Sequence, residues 1–141
     1  MNDFWKTWFR LWCLGVAMFG AVLAGGGFAA TQGPVTLLME TLGGARLTYD
    51  PALRFSLAVM GAVSIGWGVT FYGTMQVAFR GGENAPSLWR WLVGSVLTWF
   101  VIDTALSVAT GFALNAVPNI LLLSLLLIPV LKLGLLRKTA G

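Results

Sequence analysis

The chain reads as an all-α integral membrane protein, a four-helix bundle with N-in/C-in topology. Three observations carry that expectation. Its 141 residues are 57% hydrophobic and 10% charged, with a mean hydropathy of +0.82; a water-soluble domain carries roughly 25% charged residues. Four apolar segments, at about 9–30, 54–79, 89–114 and 118–136, each approach the length of about 20 residues that crosses a hydrocarbon core as a helix. Basic residues gather at segment ends. With four spans and short connections the chain is a single transmembrane domain, 1–141, with no room for a soluble catalytic unit.

Span one opens with Trp5, Trp8 and Trp12 around Lys6 and Arg10, which is expected to mark a headgroup zone. Its apolar run exceeds a signal-peptide core and three more spans follow, so it reads as a retained anchor. Ala17, Ala21 and Gly25, with Ala62 and Gly66 or Ser64 and Gly68 on span two, offer small faces for close helix packing. Gly25-Gly26-Gly27 is expected to weaken the end of span one. In the connection that follows, Pro34 precedes and Gly43-Gly44 ends the segment 35–42, predicting a short helix at the outer interface with Glu40 toward water. Asp50-Pro51 reads as a cap and first helical residue starting span two.

Span three repeats the aromatic-basic start at Trp89, Arg90 and Trp91 after a compact turn, 81–87. A short connection from Asn115 to Asn119 makes spans three and four antiparallel neighbours. Pro129 interrupts span four, where neighbouring helices tolerate a kink. Lys132 lies close enough to the end to snorkel. With an even number of spans, Lys6, Arg10, Arg80, Arg90, Lys132, Arg137 and Lys138 share one side and only Arg46 and Arg54 the other. The positive-inside rule then puts both termini in the cytoplasm.

Asp103 is the formal charge placed deep within an apolar run. An aspartate at a helix centre costs about 2.5–3.5 kcal/mol on insertion scales and faces a bundle interior or a wet cavity. Every fourth residue along span three gives Ser95, Trp99, Asp103, Ser107, Gly111 and Asn115, one polar or small ridge flanked by Thr104 and Thr110. Asp103 lies about ten residues, roughly 15 Å, from the outer end of the span. Equal depth falls near Gly20, Ser64 and Pro129, none of them basic, and Arg54 is about two turns too shallow. Tyr72 and Gln76 lie deeper, in line with Ser64 and Gly68. The expected polar site is therefore Asp103, Ser107 and Asn115, joined by Ser64 and Tyr72, and either glues helices together or lines a ligand or proton pocket. Without a matched cation, a neutral carboxyl group that donates a hydrogen bond is expected there.

Several chemistries are disfavoured. The chain has no His and one cysteine, Cys13, expected to be a packed, inert thiol; no disulfide can form within the chain and no metal-ligand set is expected. Neither a G-x-S-x-G elbow nor a phosphate-binding glycine loop occurs. Net charge +4 does not indicate nucleic acid, because no basic run or aromatic-basic alternation suits it. No cofactor and no enzymatic activity are expected.

The small four-span layout, with a long first outer loop, an Arg-led second span (Leu53-Arg54-Phe55 running into Gly61-Ala62-Val63) and a polar third span, resembles the DoxX-like superfamily. The resemblance is to its small bacterial members of undefined function. It implies association with redox complexes or binding of hydrophobic small molecules. Taken together, the expectation is a non-enzymatic accessory or hydrophobic-ligand-binding module of the bacterial inner membrane. Two alternatives stand beside it. One is a proton-linked carrier of a small or lipophilic substrate using Asp103. The other is a small subunit of a larger redox or photosynthetic membrane complex, or a homo-oligomer.

Overall fold

A computed structural model describes residues 1–44 and 46–137; Lys138 lies outside them. The regular structure of the described residues is helical, without strands: α1 (Asp3–Gly25), α2 (Gly33–Gly43), α3 (Pro51–Phe79), α4 (Ala85–Ala109), a 3-10 turn (Ala113–Asn115) and α5 (Ala116–Lys132). Four of these helical segments are long and apolar enough to cross a membrane: α1, α3, α4, and α5 with its preceding turn.

Local chemistry sets the boundaries. Asn2 accepts a hydrogen bond from the Trp5 amide, so α1 begins at residue 3 instead of 9. Its last turn closes at the glycine triplet, where the Thr31 hydroxyl donates to the Gly25 carbonyl. Asp50 caps α3 by accepting from Leu53 N, with Pro51 as the first helical residue. Span three stops at Ala109, five residues before the expected 114. Gly111 takes φ +90°, and Phe112 N and Gly111 N donate to the Ser107 and Val108 carbonyls. That is a Schellman ending, which requires a left-handed residue just past the helix. Gly134, at φ +65°, ends α5 in the same way, through Leu135 N to Val130 O and Gly134 N to Leu131 O.

The antiparallel pair α1 and α3 makes the most extensive helix contact. Apart from Trp12, which bonds to α5, buried residues on α1 fall at Phe9, Cys13, Val16, Gly20 and Leu23, and on α3 at Leu57, Gly61, Gly68, Phe71, Met75 and Ala78 with half-buried Ser64 between. Steps alternating between four and three average 3.5 residues, the repeat of a left-handed coiled-coil seam. Small residues bring the two backbones together at its centre. A Cβ on Gly20 would stand 2.7 Å from Ile65 N, and one on Gly61 would overlap the Ala24 backbone. Of the small pairs offered by the sequence, Ser64 and Gly68 lie on this seam, with Gly68 against Ala17, whereas Ala21, Ala62 and Gly66 are exposed.

Helices α4 and α5 form a second antiparallel hairpin. The two hairpins meet at the end of the bundle that holds the start of α1 and the end of α5. There Phe9, Trp12, Phe71, Met75, Trp89, Val96, Leu126 and Val130 belong to one apolar cluster. The buried residues of α4 run from Pro86 to Val96 and stop. Beyond Val96 the hairpins part, and α2 bridges the far end: Val35 packs against Leu23 and Leu57, while Gly43 abuts the Phe112 ring. Glu40 accepts from Leu47 N, so it secures the chain returning from α2.

Two of the tryptophans expected at an interface also tie helices together. Trp12 is buried and donates its indole N–H to the Leu122 carbonyl at 2.9 Å; Trp8 donates to the Leu125 carbonyl at 2.9 Å. Leu125 is four residues before Pro129, which has no N–H to offer it. Trp8 thus fills the acceptor that Pro129 leaves open, in a setting where lipid offers no donor. Trp8→Phe should destabilise the protein by about 0.6–1.7 kcal/mol, the range of hydrogen bonds between membrane helices. In a Pro129→Ala background, where the backbone regains the missing N–H, the same change should cost less. Reversible unfolding of the wild type and the three variants in mixed micelles measures the coupling; strictly additive effects would contradict it.

Candidate functional site

Between the parted hairpins lies a cleft of about 490 Å³. A second lobe of about 290 Å³ shares Phe19, Leu38, Ser64, Trp67, Trp99, Asn115 and Asn119 with it and extends toward Trp12 and Phe71. The size falls within the range of small-molecule sites. Its walls are mostly apolar: Phe19 and Leu23 from α1, Met60, Val63 and Trp67 from α3, and Trp99 and Leu106 from α4.

One polar cluster interrupts those walls, on the α4–α5 side. The Gly111 ending turns the chain back on itself, and the following 3-10 turn returns Asn115 to the α4 face it has just left. Asn115 Nδ2 donates to Asp103 Oδ2 and to Ser107 Oγ, each at 2.9 Å. One helical turn further, Asn119 Nδ2 donates to the same Asp103 Oδ2 at 2.6 Å and to Thr104 Oγ1 at 3.1 Å. Each amide has two N–H hydrogens, and these four bonds use all of them. Asp103 Oδ1 receives no hydrogen bond among the described residues, nor do the two amide oxygens. No cation contacts the carboxyl group either; the ion pair in the described residues is Lys6–Asp3, at the opposite end.

The residues singled out from sequence are placed as follows. Asp103, Ser107 and Asn115 form one hydrogen-bonded unit and line the cleft. Asn115 joins it by the fold-back, not as a further turn of the ridge. Ser64 lines both lobes from the opposite wall, with its hydroxyl donating to Met60 O. Tyr72 is 46% exposed and lines neither lobe. Eight residues at 3.6 per turn rotate it about 80° from Ser64, enough to carry it off that wall. Ser95 lies nearer the termini, on a separate hollow.

Asn119 is the member that sequence reasoning missed. Depth counted from residue 114 matched Asp103 with Pro129. Counted from the true end of α4, Asp103 sits six residues in, level with the first turn of α5. The signal was Asn115 and Asn119 at i, i+4 after Gly111. Arg54 is turned away to the α1–α2 corner: its guanidinium donates to Gln32 Oε1 at 2.7 Å and Gly26 O at 3.3 Å, and lies over the Tyr49 ring.

Among the described residues no three His, Cys, Asp or Glu side chains come together as a metal site. Cys13 is buried in the seam, with Sγ 3.5 Å from Met75 Sδ. Comparison with protein-family models, curated proteins and solved structures found no match to this chain.

Asp103→Asn keeps an oxygen for the two amides and should change stability by less than about 1 kcal/mol. Asp103→Leu strands buried N–H groups and should cost about 1–3 kcal/mol. Equal stability of both variants and the wild type in detergent unfolding would contradict the cluster's structural part.

Proposed function

We propose that this chain is a multi-pass protein of a bacterial inner membrane, with both termini cytoplasmic, that binds a small lipophilic molecule in the far-end cleft and catalyses no reaction of its own. The observation that carries the proposal is a cleft with mostly apolar walls, into which one oriented polar cluster presents an unengaged carboxyl oxygen. Binding sites for small molecules have this composition: apolar bulk for affinity and a few placed polar atoms for orientation.

The membrane setting rests on the four apolar helices and on the charge asymmetry between their ends. Phe28, Leu37 and Phe55, at 72%, 70% and 70% exposure, ring the far end around α2 and suit immersion at a membrane surface. Placing α2 at the outer interface and the cleft in the outer half of the bilayer follows from that orientation. The resemblance to the DoxX-like superfamily supports the same reading.

Native mass spectrometry of protein released from its own membranes tests the proposal. The wild type should carry a non-covalent small lipophile. Val63→Trp, which fills the cleft from an exposed wall position, should lose that adduct while keeping a folded charge-state envelope. A wild type that is consistently bare would contradict the proposal.

A further inference from the structure

We infer, building on the reading of the cleft as a lipophile site, that its ligand is a lipophilic amine whose protonated nitrogen donates to Asp103 and whose apolar body lies along Trp67 and Trp99. The polar inventory points there. All four amide hydrogens of Asn115 and Asn119 are engaged inside the cluster, two of them on Asp103 Oδ2. The acceptors left open are Asp103 Oδ1 and the two amide carbonyls, while the Ser107 and Thr104 hydroxyls, which accept from the amides, keep one O–H each. A ligand that brings N–H donors meets all three acceptors, whereas a carbonyl finds a hydroxyl hydrogen but leaves the carboxyl group unanswered.

Charge points the same way. Asp103 acts as an acceptor, with two amides on Oδ2, in place of the neutral donor expected from sequence, and no cation among the described residues contacts it. Arg54 is committed to Gln32 and Gly26, Lys132 lies 5.6 Å over the Trp5 ring, Arg10 donates to Gln76 and Arg90 to the Leu136 carbonyl. An ammonium group supplies the missing counter-charge, and hydrogen bonds between ionised groups are the strong ones. Aromatic faces add to this. Trp67 from α3 and Trp99 from α4 line both lobes, with Phe19 from α1 beside them. Indole faces attract cations, more so when desolvated. An anionic lipophile, such as a fatty acid, meets the Asp103 carboxylate and no cation.

The test compares 4-phenylbutylamine with 5-phenyl-2-pentanone, of similar size and apolar bulk but bearing a carbonyl in place of the ammonium. Binding is measured by calorimetry at pH 7 on the full chain in phospholipid nanodiscs, with empty-disc partitioning subtracted. The amine should bind about tenfold tighter than the ketone or better. Asp103→Asn should abolish that preference while the thermal midpoint is retained. Ketone binding equal to or tighter than amine binding in the wild type overturns the amine and leaves the cleft a lipophile site. Absence of binding by either probe overturns both. Amine binding unchanged by Asp103→Asn also overturns the inference. The wild-type ratio decides by itself if the variant does not fold.

Discussion

The close approach of α1 and α3 at Gly20 and Gly61 is the contact on which the rest of the bundle depends. In lipid, apolar side chains gain little by leaving one hydrocarbon environment for another, so helix association relies on packing. A glycine facing a backbone on each side of this seam lets the two helices lock over most of their length, from Phe9 with Phe79 to Gly26 with Leu57. The pair then behaves as one stiff unit. It presents Phe19, Ser64 and Trp67 along one side, and those side chains become a wall of the cleft.

The second hairpin lacks such a seam along its far half, and polar satisfaction takes over its role there. Asp103 in α4 and Asn119 in α5 are joined directly, and Asn115 closes the turn over both. At the other end, Trp8 and Trp12 tie α1 to carbonyls of α5, one of them opened by Pro129. Together these contacts pin the hairpins where the aromatic cluster is thick and leave them apart where it ends. The same cluster that stabilises the α4–α5 turn holds one carboxyl oxygen toward open space. Structure and site are therefore built from the same side chains.

Much of the architecture was legible. Four long apolar runs, Asp50-Pro51 and Pro34 with Gly43-Gly44 announced the helices, because hydrophobic length and capping chemistry act locally. Asp103, Ser107 and Asn115 were legible for a related reason: polar groups in an apolar run must meet one another. Asn119 and the misplacement of Tyr72 show where local reading fails. Both errors came from treating span three as straight to residue 114 and span two as a four-residue row. A single left-handed Gly111 shortens the first, and a 3.5-residue seam rotates the second. The helix-tying role of Trp8 was not legible because it answers a vacancy that Pro129 creates 121 positions along the chain, which no local pattern encodes.

The α1–α3 seam is tested by the thermal stability, in one detergent, of Gly61→Leu against Gly66→Leu. Both substitutions add the same side chain to the same helix, five residues apart. Gly61 meets the Ala24 backbone, whereas nothing lies within 4 Å of a Cβ at Gly66. Gly61→Leu should lose folded protein or cost about 1–3 kcal/mol or more through forced separation of the seam, with Gly66→Leu close to wild type. Equal tolerance of the two would contradict the seam, and with it the wall that frames Asp103.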